Sequence, residues 1–86
     1  MDITREQTAG KLRAYLEHDL PLDSLVDWAE SAMNDGQFSD VHHDAIRDVV
    51  ARLGVADVRA FGLAWEDCEQ LLRKLGYTAR VSIASV

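Results

Sequence analysis

The amino-acid sequence predicts a mainly α domain, a small helical bundle of about four helices with a C-terminal β-strand. Three observations predict it. Apolar residues recur at helical spacing in four separate stretches, each stopped by a glycine or proline. After Gly76 the pattern switches to period two. The length of 86 residues suits one domain and not two, so residues 1–86 are read as a single domain.

The first helix opens at Thr4-Arg5-Glu6-Gln7, which reads as a capping box. Ala9, Leu12, Tyr15 and Leu16 share its apolar face, and His18 is placed in its last turn, where a cation suits the helix dipole. Leu20-Pro21 ends it, because a residue before proline is pushed out of the α region. The second helix starts near Pro21. Its stripe is Leu22, Leu25, Val26, Ala29, Ala32 and Met33, and Gly36 is expected to cap it in the left-handed conformation. Phe38 plugs the following turn. Ser39 or Asp40 is expected to cap a third helix with the stripe Ala45, Ile46, Val49, Val50 and Leu53, ending at Gly54.

Residues 55–63 fit two readings. Val55, Val58 and Phe61 would line a short helical turn, whereas Val58 and Ala60 would face inward from a strand. The fourth helix has acids at its start (Glu66, Asp67, Glu69) and bases at its end (Arg73, Lys74), the order that the macrodipole favours. Trp65, Cys68, Leu72 and Leu75 form its buried face, and Gly76 caps it. Tyr77, Ala79, Val81 and Ile83 then alternate with Thr78, Arg80, Ser82 and Ala84, the mark of a strand. Its partner is either residues 57–62, giving a β-α-β unit over 57–83, or the same strand of a second copy.

Lys and Arg number 9 against 15 Asp and Glu, for a net charge of −6. That argues against nucleic acid, whose binding rests on cations neutralising phosphates, and against an anionic membrane surface. It leaves open a basic protein as partner, beside the plainer reading that the charge keeps a small domain soluble. No apolar run approaches the roughly 20 residues that span a bilayer. With a single cysteine and no secretory leader, a cytoplasmic location is expected.

Chemistry-bearing clusters are sparse. His42 and His43 are adjacent, so they do not share a helix face, and no zinc-ligand spacing accompanies them. Cys68 falls on an apolar face, where a free thiol behaves as a small hydrophobe. The glycines are scattered and form no phosphate loop. The expectation is no enzyme, no cofactor and no metal. The most suggestive feature is an acidic stripe, Asp23, Asp27 and Glu30, with Asp19 and Asp35 at its ends and Trp28 beside it. Like charges at this spacing cost a few tenths of a kcal/mol each, and steering toward a basic surface would offset that cost. Asp23, Asp27, Trp28 and Glu30 are therefore the expected partner-binding residues, with Trp28 as the apolar anchor.

Lys11-Leu12-Arg13-Ala14-Tyr15-Leu16, the break at Leu20-Pro21-Leu22, and Leu25-Val26-Asp27-Trp28-Ala29 resemble small bacterial colicin-type self-immunity proteins. The resemblance covers roughly the first 35 residues; the C-terminal helix and strand depart from it. It implies an inhibitory protein-binding role and transfers no residue role. The alternative expectation is a structural homodimer or assembly subunit that pairs through the C-terminal strand.

Overall fold

Four helices carry the fold, as the apolar periodicity requires. The computed structural model describes residues 2–80 and residue 83, with the order β1 (Asp2–Ile3), α1 (Arg5–Leu16), α2 (Leu22–Asp35), β2 (Gln37–Phe38), α3 (His43–Leu53) and α4 (Trp65–Lys74). Thr4 caps α1, its hydroxyl accepting from the Gln7 amide at 3.1 Å. The most extensive helix pair is α2 with α3, and α1 touches each of the other three helices. Leu12, Leu25, Ala29, Ala32, Ile46, Val49, Val50, Leu53, Cys68, Leu72 and Leu75 meet in one core. Thr8 is the buried polar residue among them, and its hydroxyl donates to the Thr4 carbonyl at 2.8 Å, so nothing is left unpaired there.

Four expectations are corrected. Residues 57–62 form no strand: the chain from Gly54 to Phe61 is a succession of turns, with amide bonds from Val58 to the Val55 carbonyl and from Phe61 to the Val58 carbonyl. The β-α-β unit over 57–83 is therefore not formed. Tyr77–Arg80 is not assigned to a strand either, since a ladder needs a partner; Val81, Ser82 and Ala84 lie outside the described residues. Gly36 is extended (φ −81°, ψ 150°), not left-handed. A Cβ there would lie 2.5 Å from the Ala32 carbonyl oxygen and 2.8 Å from Ile3 Cγ1, so glycine is required for close approach. Finally, α3 begins at His43 behind a left-handed His42 (φ 61°), with no side-chain cap from Ser39 or Asp40.

The close approach at Gly36 belongs to a pairing that has no sequence signal. β1 and β2 run parallel, Asp2 opposite Gln37 and Ile3 opposite Phe38, and the Ser39 amide donates to the Ile3 carbonyl at 2.9 Å. Parallel pairing needs a long crossover. Here α1 and α2 together provide it, which fixes the start of α1 against the end of α2 and buries Ile3 completely.

Candidate protein-binding face

Helix α2 turns Leu25, Val26, Ala29 and Ala32 into the core. Asp23, Asp27 and Glu30 consequently stand on its solvent side, all three exposed. The steps of four and three residues stack them along one surface of the helix. Asp23 sits in the first turn, where the positive end of the dipole favours it; Asp27 and Glu30 lack that support. Helix α2 contains no Lys or Arg. Among the described residues the Lys and Arg ion pairs lie elsewhere: Arg13–Glu17 at 2.9 Å, Lys74–Asp48 at 3.3 Å, Arg52–Asp67 at 3.7 Å, and Arg47–Asp48 and Arg5–Glu6 at 3.8 Å. The carboxylates of α2 enter none of these pairs.

Trp28 is placed differently from its acidic neighbours. It is half-buried and packs against the core, with the Lys11 ammonium 5.7 Å from its ring centroid. Its Nε1 is buried and has no hydrogen-bond partner among the described residues. The indole thus belongs first to the junction of α1 and α2. Only part of its surface adjoins the acidic face.

The groups considered for chemistry stay apart. Among the described residues no three His, Cys, Asp or Glu side chains come together as a metal-holding group. His43 lies edge-on to Phe38, with ring centroids 5.9 Å apart, and its Nδ1 is 3.4 Å from Asp44. Cys68 is fully buried. Burial, reinforced by the adjacent Asp67 carboxylate and only partly opposed by Arg52, pushes its thiol up to about 11. A thiol so protonated is a poor nucleophile near neutral pH.

One surface feature escaped the periodicity argument. A groove of about 820 Å³ runs between α1 and the chain leaving α4, with Ala9, Leu16, Trp65, Leu72 and Ala79 among its walls. Arg13, Glu17 and Arg80 stand around it. Gly10, which has open space where a side chain would be, was the available signal, since glycine inside a helix is disfavoured without a local reason.

No helix among the described residues is long and apolar enough to cross a membrane. The chain matches no family model, no curated protein and no solved structure.

Proposed function

We propose that this chain is a non-catalytic, bacterial, cytoplasmic protein-binding domain whose acidic α2 face receives a basic partner. One observation carries the reading: Asp23, Asp27 and Glu30 are exposed together on a helix that contains no cation, while five cation–carboxylate contacts form elsewhere. An unneutralised row of charge attracts an opposite surface over a Debye length and accelerates encounter. Trp28 contributes the apolar contact that its exposed part allows. The resemblance of the first 35 residues to self-immunity proteins supports inhibition as the outcome of binding.

The test is capture from the source cells with the native chain and with the double variant Asp23→Lys, Asp27→Lys, at low and high salt. Native chain should retain a basic protein at low salt and release it at high salt. The double variant should bind that protein at least about tenfold more weakly at low salt. Equal binding by both would remove the acidic face from the account.

A further inference from the structure

The turns between α3 and α4 present an aromatic side chain to solvent and hold it in place. Phe61 is more than half exposed, alone among the aromatic residues described, and Val58 beside it is exposed as well. The Phe61 and Gly62 amides both donate to the Val58 carbonyl, at 2.9 and 3.0 Å. From α3, Arg52 Nη2 donates to the Gly62 carbonyl at 3.0 Å, and its guanidinium lies 5.7 Å from the Phe61 ring centroid. An aromatic knob held in this way loses little freedom on binding and suits an interface anchor. A receptor for it lies on the same molecule. The groove between α1 and residues 77–80 has Leu16 and Trp65 in its walls and open space at Gly10. Glycine inside a helix is disfavoured and finds its use where something must approach closely. No neighbouring atom lies within 4 Å of a Cβ placed at Gly10, so one copy makes no use of that approach.

We propose that two copies of the chain form a two-fold dimer in which Phe61 and Val58 of each enter the groove of the other. Charge and position point to a second copy as the occupant. Exposed Asp57 and Arg59 flank Val58, and the groove offers each an opposite charge, Arg80 for Asp57 and Glu6 for Arg59. Among the described residues Asp57, Arg59 and Arg80 enter no ion pair within one copy. Knob and groove are also neighbours. Four residue steps separate Phe61 from Trp65, at most about 14 Å, and the Tyr15 hydroxyl ties the stretch to α1 by donating to the Leu63 carbonyl at 3.5 Å. A knob and a groove side by side on one surface can meet their counterparts reciprocally across a two-fold axis, so the assembly closes at two copies. This contact uses neither Asp23, Asp27 nor Glu30, so it stands independently of the acidic-face reading.

Sedimentation over a concentration series tests it with two variants, one for each half of the contact. The native chain should pass from one copy to two as concentration rises. Phe61→Ser removes the knob at an exposed position, and Gly10→Leu fills the groove with a residue that favours the helix. Each should raise the dissociation constant by at least about tenfold with helical circular dichroism intact. Mixing the two variants is the decisive measurement. The Gly10→Leu chain keeps its knob and the Phe61→Ser chain keeps its groove, so a mixed pair regains one intact contact of the two. The mixture should therefore associate more tightly than either variant alone and less tightly than the native chain. A native chain that stays single at every concentration overturns the proposal. So does a dimer that either variant leaves unchanged, including one in which Phe61 meets Phe61 and Gly10→Leu has no effect. A mixture that associates no better than its components overturns it as well.

Discussion

The α2–α3 contact and the stretch that joins α3 to α4 use similar residues and fold differently. Val26, Val49 and Val50 are at most 2% exposed, whereas Val58 is 45% and Phe61 57% exposed. Hydrophobicity does not separate the two regions; phase does. In α2 and α3 the apolar residues return to one face for three turns, so a continuous stripe forms and meets another. Between Gly54 and Ala64 the apolar positions 55, 56, 58, 60, 61 and 63 satisfy helix and strand spacing equally, so neither period gives a single face. The backbone settles into short i to i+3 turns, and of these side chains only Ala56 becomes fully buried.

The sharpest way to break this comparison is to truncate both regions. Leu25→Ala or Ile46→Ala removes a fully buried side chain from the α2–α3 contact and should cost about 2–5 kcal/mol. Val58→Ala should stay within about 0.5 kcal/mol, as exposed positions do. Urea denaturation measures both on one scale. If Val58→Ala cost as much as Leu25→Ala, the joining stretch would be part of the core and not a connection laid over it.

Cys68 allows a second, smaller test in the C-terminal region. Its thiol is raised from 9.0 to about 11 by burial in the core, by Asp67 and against Arg52. Between these values the unfolded chain has lost the proton that the folded chain keeps. The unfolded state therefore binds fewer protons, and stability falls as pH rises. The contribution is fully present below pH 9 and is lost as pH climbs toward 11. The loss should be on the order of 1–3 kcal/mol. Cys68→Ala should flatten that part of the stability–pH curve, apart from the titration of Tyr and Lys that both proteins share. Parallel curves for the two proteins would show that the thiol is not the group responsible.

What the sequence disclosed follows the same division. Helices α1 to α4, the Thr4 cap, the buried faces and the exposure of Asp23, Asp27 and Glu30 were legible, because each rests on spacing repeated over several turns. The β1–β2 pair was not, since two-residue strands leave no period to detect. Met33 was placed on the α2 stripe yet is 45% exposed, whereas Ala32 beside it is fully buried. Trp28 was legible as lying beside the acids, but not the orientation that buries its Nε1 and sets its ring 5.7 Å from the Lys11 ammonium on α1.

Two helix ends with the same geometry and different residues give the finest comparison. After α4, the Gly76 amide donates to the Arg73 carbonyl and the Tyr77 amide to Leu72, with Gly76 left-handed at φ 93°. After α1, the His18 amide donates to Tyr15 and the Asp19 amide to Ala14, with His18 left-handed at φ 65°. Both are Schellman ends, but a side chain at the left-handed position costs about 1–2 kcal/mol that glycine does not incur. Glycine gives part of this back through the greater freedom of the unfolded chain, about 0.4–1 kcal/mol. Exposed His18→Gly should therefore stabilise the protein by about 0.5 kcal/mol, a rise of about 2–4 °C in Tm. Gly76→Ala should act in the opposite direction, because its Cβ would also come within 2.9 Å of Arg5 Nη1. That guanidinium reaches the Leu75 carbonyl at 3.4 Å and lies over the Tyr77 ring, so displacing it would loosen the tie between the start of α1 and the end of α4. A fall in Tm for His18→Gly would mean that the His18 side chain holds the α1–α2 turn through contacts worth more than its backbone strain.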